Sequence, residues 1–299
     1  DAVAAREELL ADPANPLLDR ATGESYAPGS SFKPVVTAAS LDSGFAGPED
    51  TFPDPIELDL PGSTATISNA DGEVCNDGVS VTMRDGFRKS CNTTFAQMAM
   101  DMGSDTVTAQ AEAFGFNQNI PFDWEPLESS YPNPGDDLAA LAQSAIGQRD
   151  VQAVPLQMAL VASGIANQGQ IMEPHLVARV VDADGDVNEE VEPVVWMRAL
   201  SPASAAIISD LMEQVVASGT GTAATVPGFR VAGKTGTDEA PEGGAPDVWF
   251  IGFAPVENPN IALAVVVEDG GDAGQSASGG SVAAPIAQRV LATWLERGT

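Results

Sequence analysis

Three short motifs, far apart in the sequence, restrict the possible folds of this chain more than any other feature. In chain order they are Ser30-Ser31-Phe32-Lys33, Ser90-Cys91-Asn92 and Lys234-Thr235-Gly236-Thr237. A serine three residues before a lysine occurs by chance roughly once in a chain of this size, so the first motif alone is weak evidence. The combination in this order is highly specific. We therefore expect a fold that brings the three motifs together in one cleft.

The first motif pairs a nucleophile with a base. Pro28 and Gly29 form a turn ahead of an apolar run, residues 32–41, that predicts a helix. Residues three apart on a helix share a face, so Ser30 and Lys33 are predicted to point the same way. A serine hydroxyl needs a neighbour that accepts its proton, and a lysine can deprotonate whereas an arginine cannot. Lysine is otherwise rare here, since the chain contains only Lys33, Lys89 and Lys234.

At these motifs the sequence resembles the penicillin-binding proteins, which are serine D,D-transpeptidases that share a fold with the serine β-lactamases. Residues 15–21, which precede the motif at residues 26–30, are similar to the class B enzymes, and so are residues 249–255. Residues 60–65 and 89–93 are most similar to an actinobacterial branch of that class. The resemblance runs from about residue 15 to the end of the chain.

The resemblance implies an α/β (α+β) fold of the serine β-lactamase and D,D-peptidase kind, with an antiparallel sheet flanked by helices and an α-rich subdomain. We expect one transpeptidase domain over residues 1–299. Its α/β subdomain would comprise about 1–41 and 200–299, and its α-rich subdomain about 42–199. Class B proteins carry a membrane anchor and a pedestal domain ahead of this domain, and we expect both to be missing from the sequence. The full protein would lie at the extracytoplasmic face of the cytoplasmic membrane.

The resemblance also implies how the acyl transfer would work. Ser30 would be the nucleophile, and Lys33, kept neutral by burial and by Lys234, would be its base. The backbone N–H groups of Ser30 and Thr237 would form the oxyanion hole. Ser90 would pass the proton to the leaving amine. These roles predict an acyl-enzyme on Ser30 that forms with β-lactams as well as with the natural substrate.

The remaining motif residues are expected to bind the substrate, a peptidoglycan stem peptide that ends in D-Ala-D-Ala. Asn92 would hold the substrate's amide. Lys234, Thr235 and Thr237 would bind the terminal carboxylate, because a cation and hydroxyl groups suit a planar anion. Gly236, without a side chain, would let the substrate lie against the strand. No cofactor or metal is expected, and the protein would work in a cell-wall synthesis complex.

Two alternatives to a transpeptidase remain open. A serine β-lactamase needs a carboxylate that activates water, which one class places in a Glu-x-x-x-Asn loop. Glu125 and Glu128 lie in a loop-like region, but neither has an asparagine four residues later. A non-catalytic β-lactam sensor or scaffold is the other alternative. The single histidine, His175, argues against a Ser-His-Asp triad and is expected to be structural.

The charge balance excludes several partners. The chain has 43 acidic and 13 basic residues, a net charge of −30. Such a chain repels nucleic acid and anionic membrane surfaces. The simplest interpretation is a solvated acidic surface on a monomeric domain, and a high-salt habitat is the alternative. The two cysteines, Cys75 and Cys91, are consistent with an exported protein that carries one disulfide, while two free buried thiols remain the other interpretation.

Local patterns predict the elements around the motifs. Three apolar runs, residues 230–237, 248–254 and 261–268, predict strands. Ser80 is expected to cap a helix over residues 81–89, and Ser201 with Pro202 a helix that ends at Gly219. Further pairings are predicted between residues 56–60 and 64–68, and between residues 177–181 and 191–196. The Gly/Thr loop at residues 220–222 is open to two interpretations, a wall of the ligand site or a connector.

Overall fold

The computed structural model describes residues 2–13, 15–238 and 244–297. The helices in these residues are α1 (Ala2–Ala11), α2 (Arg20–Gly23), α3 (Lys33–Ser43), α4 (Met83–Lys89), α5 (Asn92–Met102), α6 (Ser104–Ala113), α7 (Leu138–Ala145), α8 (Pro155–Ala166), α9 (Pro202–Ser218) and α10 (Ala284–Arg297). The strands are β1 (Thr51–Pro53), β2 (Glu57–Asp59), β3 (Thr66–Ser68), β4 (Ser80–Thr82), β5 (Gln170–Met172), β6 (Arg179–Val181), β7 (Val187–Glu190), β8 (Val195–Arg198), β9 (Ala232–Thr237), β10 (Val248–Ala254) and β11 (Ile261–Val267).

The three C-terminal apolar runs form one antiparallel sheet in the order β11-β10-β9. In its register Ile251 of β10 lies opposite Lys234 on one side and Ala264 on the other. All seven residues of β10 are buried, since both faces of the sheet are covered. The predicted strands are confirmed, and so is the predicted fold class of an antiparallel sheet with flanking helices.

Alternation along β10 divides the hydrophobic interior into two clusters. Trp249, Ile251 and Phe253 point into the larger cluster, which includes buried residues of α8 and α9. Phe250 and Ala254 point to the opposite face, where they pack with α10. Successive side chains of a strand lie on opposite faces, so one apolar run is enough to attach helices to both sides. This packing makes the sheet a rigid support for the β9 motif.

Helix α3 passes through the larger cluster and carries the first motif at its N-terminal end. Residues 33–40 are buried, and the helix is followed by Gly44, whose φ of 72° is left-handed. A glycine in that conformation commonly terminates helices because it has no Cβ to clash. Ahead of α3, residues 29–32 form a tighter 3₁₀ turn, so Ser30 precedes the helix proper.

Two of the local predictions are wrong. Ser80 belongs to β4, which pairs with β1, and the helix cap is Thr82, whose Oγ1 accepts a hydrogen bond from Asp85 N. β6 pairs with β7 across the turn at Gly185, whereas β8, from the run at residues 191–196, pairs with β5. Local patterns specify strands but not partners, because pairing depends on contacts outside the window. The predicted pairing of β2 with β3 and the Ser201 cap are confirmed.

The division into two subdomains stays a prediction. The larger hydrophobic cluster runs from Tyr26 to Phe253 and includes residues from both predicted subdomains. Within the described part of the chain, none of the helices combines the length and apolar character that crossing a membrane requires.

Candidate active site

The turn that carries Ser30 is held against the sheet from several sides. Gly29, with a φ of 52°, donates its N–H to the carbonyl of Gly147 at 2.9 Å. Trp249 Nε1 donates to the carbonyl of Ala27 at 3.0 Å. The neighbouring Ser31 is buried, and its Oγ donates to the carbonyl of Pro28 at 2.6 Å. Ser31 therefore supports the turn, whereas Ser30 lines a cleft.

Lys33 lies fully buried behind the Ser30 turn. Its Nζ donates to the carbonyl oxygen of Ser90 at 2.7 Å and to Oδ1 of Asn92 at 2.8 Å, and lies 3.3 Å from Oγ of Ser90. The ring of Phe95 lies 5.4 Å from the same Nζ. These contacts join the first motif to the second. Ser90 follows the C-terminal end of α4, and Asn92 is the first residue of α5.

Ser90 reaches both lysines because of its backbone conformation. It follows the last residue of α4 with a φ of 65°, the left-handed region, and its N–H returns to the carbonyl of Phe87. In that conformation its Oγ accepts a hydrogen bond of 2.8 Å from Nζ of Lys234, and Nζ of Lys33 lies 3.3 Å from the same oxygen. A hydroxyl oxygen has two lone pairs, so it can accept from both lysines. Ser90 is thus the link between the three motifs.

Lys234 is fully buried, and its second hydrogen bond goes to the carbonyl of Thr235 at 2.9 Å. Burial disfavours the charged ammonium and lowers the pKa of Lys234 to about 7. The acceptors around Nζ are neutral oxygens, so no described carboxylate offsets this loss of hydration.

The β9 motif forms one wall of the cleft and touches the Ser30 turn directly. A Cβ on Gly236 would lie 2.6 Å from the carbonyl oxygen of Pro28, and one on Gly29 would lie 2.6 Å from that of Thr237. Only residues without side chains allow this approach. Beside it, Thr235 Oγ1 lies 2.6 Å from Oγ1 of Thr220. Thr237 Oγ1 accepts the N–H of Gly279 at 3.3 Å.

Together these elements enclose a cleft of about 560 Å³. The described residues that line it include no carboxylate, although the chain is strongly acidic. The lining consists of Ser30, Ala70, Lys89, Ser90, Asn92, Gln148, Thr220, Thr235, Gly236, Thr237 and Ser276 to Gly280.

A disulfide joins Cys75 to Cys91, in agreement with the prediction for an exported protein. The loop that it closes is also held by Asp54, whose buried carboxylate accepts the N–H groups of Cys75, Asn76 and Gly78. Because Cys91 lies between Ser90 and Asn92, the bridge attaches the second motif to this loop.

The structure therefore brings together every motif residue that the sequence singled out, with Lys33 and Lys234 beneath the cleft and the others along it. Of the two interpretations of the Gly/Thr loop, the structure supports the first, because Thr220 lines the cleft. Sequence reasoning missed Gln148 and the segment from Ser276 to Gly280. Their only local signals are Gly147 and a Gly/Ser-rich stretch, which are typical of many loops. His175 is exposed and lines a separate groove.

The side chains of this arrangement limit the chemistry that the cleft could perform. A serine in a tight turn beside a buried lysine pair could act in acyl transfer, with a lysine in the role that histidine has in triad enzymes. Among the described residues, no cluster of histidine, cysteine and carboxylate side chains could hold a metal ion.

Comparison with known proteins assigns the family. The family described as penicillin binding protein transpeptidase domain matches residues 3–292, and the chain belongs to it. Peptidoglycan D,D-transpeptidase PbpA of Mycolicibacterium smegmatis is 42% identical over 299 residues, which cover 98% of this chain and 60% of that protein. PbpA of Mycobacterium tuberculosis is 40% identical over 297 residues, 97% of this chain and 59% of that protein. The predicted similarity to an actinobacterial branch is thereby confirmed.

A solved structure shows the same fold. Penicillin-binding protein A of M. tuberculosis, as a ceftriaxone acyl-enzyme complex, superimposes with a TM-score of 0.91 at 38% identity, covering 96% of this chain and 65% of that one. This chain spans about 60% of the length of the curated relatives that it matches.

Proposed function

We propose that this protein is a serine D,D-transpeptidase that cross-links peptidoglycan stem peptides through an acyl-enzyme on Ser30, and that β-lactams acylate the same residue. The observation that carries the proposal is the hydroxyl of Ser90, held between Nζ of Lys33 and Nζ of Lys234 beside the Ser30 turn. That arrangement connects a base, a proton relay and a cation in one hydrogen-bonded group. The names of the relatives, D,D-transpeptidases, support the same function.

In the acylation step, Ser30 Oγ attacks the carbonyl carbon of the penultimate D-Ala and gives its proton to a neutral Lys33. The oxyanion that forms accepts hydrogen bonds from the backbone N–H groups of Ser30 and Thr237. As the C–N bond breaks, the proton passes through Ser90 Oγ to the leaving amine of the terminal D-Ala. An amine from a second stem peptide then attacks the ester, loses a proton by the reverse path and releases Ser30.

Substrate binding is proposed for the residues along β9 and for Asn92. The terminal carboxylate would accept hydrogen bonds from Thr235 and Thr237 and be attracted by the charge of Lys234. Asn92 accepts from Lys33 through Oδ1 and donates to the carbonyl of Ser68 through Nδ2. Its amide nitrogen has a second hydrogen for the substrate's amide, so one side chain orients both the base and the peptide.

The cleft lining favours a transpeptidase over a β-lactamase. Efficient hydrolysis of an acyl-enzyme needs a general base for water, and the described lining residues include no carboxylate. Glu125 and Glu128 are exposed and are not among them. An acyl-enzyme that excludes activated water persists until an amine arrives. We therefore propose slow deacylation.

The function is tested by intact-protein mass spectrometry after incubation with penicillin. A one-to-one adduct should form in a burst and be lost slowly, and Ser30→Ala should abolish it. Ser31→Ala is the matched control, because this neighbouring serine donates to Pro28 instead of facing the cleft, and it should still form the adduct.

Three other outcomes would each contradict part of the proposal. Rapid multiple turnover of penicillin would make the protein a β-lactamase. An adduct without transfer between stem-peptide analogues and an acceptor amine would favour a sensor. No adduct at all would overturn the site assignment.

We further propose that the full-length protein is membrane-anchored, with this domain, as a monomer, at the extracytoplasmic face and within a cell-wall synthesis complex. The disulfide supports an oxidising compartment, because disulfides persist mainly in exported proteins. Size-exclusion chromatography coupled to light scattering tests the monomeric state, and a dimeric mass would contradict it.

A further inference from the structure

The cleft carries a third lysine that the acyl-transfer mechanism does not use. Lys89 is the last residue of α4, is exposed, and lines the cleft next to Ser90. Its Nζ donates a hydrogen bond to the backbone carbonyl of Cys75. An ammonium group has three donors, so two remain for other acceptors.

Five arginines of this acidic chain form ion pairs with carboxylates. Among the side chains that the structure describes, no carboxylate lies within ion-pair distance of Lys89, and none lines its cleft. The matched arginines are Arg20 with Glu24 and Glu268, Arg84 with Glu49 and Asp210, Arg88 with Asp85, Arg149 with Asp137 and Asp150, and Arg230 with Glu213 and Glu257.

This contrast gives the cleft a local charge opposite to that of the whole molecule. The chain has 43 acidic and 13 basic residues, yet its cleft combines three lysines with a lining that, where described, lacks acids. Carboxylates near the cleft would repel an anionic ligand. A lining without described carboxylates, together with a lysine that has no ion-pair partner there, favours the binding of an anionic ligand. Lys234 is buried beneath the cleft, whereas Lys89 is exposed on its wall, so the two reach different parts of a ligand.

We propose that Lys89 is a specificity residue that binds a second carboxylate of the donor peptide, carried on a side chain ahead of the D-Ala-D-Ala end. The inference rests on the proposed transpeptidase function, in which Lys234, Thr235 and Thr237 bind the terminal carboxylate. The preferred donor is therefore a peptide with two carboxylates, one at its end and one upstream.

The disulfide loop holds Lys89 in place for this role. Its acceptor, Cys75, is bonded to Cys91, and the N–H of Cys75 is fixed by the buried carboxylate of Asp54 at 2.8 Å. A long lysine side chain loses considerable conformational freedom when it binds a ligand. Because the contact with Cys75 already restricts Nζ, less freedom remains to be lost when the carboxylate binds.

The test uses two synthetic donors that end in D-Ala-D-Ala and differ in one group, a side-chain carboxylate or the matching carboxamide on the preceding residue. The release of D-Ala gives kcat/KM for each donor, and their ratio measures the preference for the carboxylate. We expect the wild type to prefer the carboxylate donor, Lys89→Gln to reduce that preference by about five- to tenfold, and Lys89→Arg to keep most of it. Arg289→Gln, which removes the same charge from exposed α10, is the matched control and should keep the preference.

The outcomes separate this inference from the function on which it rests. An unchanged preference in Lys89→Gln, with normal formation of the penicillin adduct, would overturn the role of Lys89 alone. An equal loss for both donors would also overturn it, since that result indicates damage to the Cys75 loop instead of a lost charge. A wild type that forms no adduct and releases no D-Ala would overturn the proposed function together with this inference.

Discussion

Lys33 and Lys234 are both fully buried, and their ammonium groups converge on the hydroxyl of one serine, Ser90. Two cations so close together, without a described carboxylate between them, disfavour a doubly charged site. Such a site favours a state in which one of the two lysines is neutral. A neutral lysine is the form that general-base catalysis requires. Burial by itself lowers the pKa of Lys234 to about 7.

The first prediction at the scale of single residues concerns Lys33→Arg. Arginine retains the charge but cannot take the proton of Ser30. The second-order rate constant for acylation by penicillin should fall by about two to four orders of magnitude, the usual effect of losing a general base. Thermal unfolding of the variant, measured alongside, controls for damage to the buried site. A folded variant that acylates at nearly the normal rate would show that Lys33 acts through its charge alone.

The second prediction concerns pH and Lys234. Below about pH 7 Lys234 carries the charged ammonium that we propose attracts the substrate's carboxylate, and above it the amine is neutral. Because kcat/KM reports the free enzyme, its profile for a carboxylate substrate should decline on the alkaline side with an apparent pKa near 7. Lys234→Arg, which stays charged, should remove this decline. A profile that is flat from neutral to alkaline pH in the wild type would contradict the carboxylate-binding role.

At the scale of elements, the contact between the Ser30 turn and β9 depends on Gly29. Gly29→Ala must adopt a left-handed φ, and its Cβ would overlap the carbonyl oxygen of Thr237. The turn and the strand should separate, so acylation should slow at least about tenfold and stability fall by about 1–3 kcal/mol.

Gly44→Ala is the matched control for this variant. Gly44, at the other end of α3, has the same left-handed backbone, but a Cβ added there would meet no atom within 4 Å. It should lose about 1 kcal/mol of stability with normal acylation. If Gly44→Ala slowed acylation as much as Gly29→Ala, the loss would come from strain in the left-handed backbone and not from the contact with β9.

The disulfide is a second test at this scale. Replacing Cys75 and Cys91 together by serine removes a bridge with a sequence separation of 16 and should lower the free energy of unfolding by about 2–4 kcal/mol. Acylation should also slow, because Cys91 lies between Ser90 and Asn92. Denaturant unfolding and penicillin acylation measure the two effects, with the reduced wild type as a parallel sample. Unaltered stability and acylation would mean that the Asp54 contacts alone hold the loop.

At the scale of the whole molecule, the net charge of −30 dominates. Five arginines neutralise nearby carboxylates, but most acids have no basic partner within the described residues. Added salt screens such self-repulsion, with a Debye length of about 10 Å at 0.1 M. The unfolding temperature should therefore rise between low and high concentrations of sodium chloride. A flat or falling dependence would show that the acidic surface costs the folded state nothing.

Local sequence patterns were enough to predict the elements that carry the motifs. The strands β9, β10 and β11 follow from runs of apolar residues, and the start of α9 follows from Ser201 and Pro202. Lysine and serine in the order of the three motifs also pointed to the chemistry of the cleft. The strand and helix predictions succeed because periodicity and capping act over a few neighbouring residues.

Contacts between distant residues account for the rest. The pairing of β8 with β5, and of Ser80 with β1 instead of a helix, arises from packing that no local window contains. Gln148 and residues 276–280 enter the cleft through backbone contacts of glycine residues with β9 and the Ser30 turn. The low pKa of Lys234 has the same origin, since burial is a property of the packed molecule and not of the residue. The sequence supplied the reactive groups, and long-range packing brought them within hydrogen-bonding distance and removed the water around them.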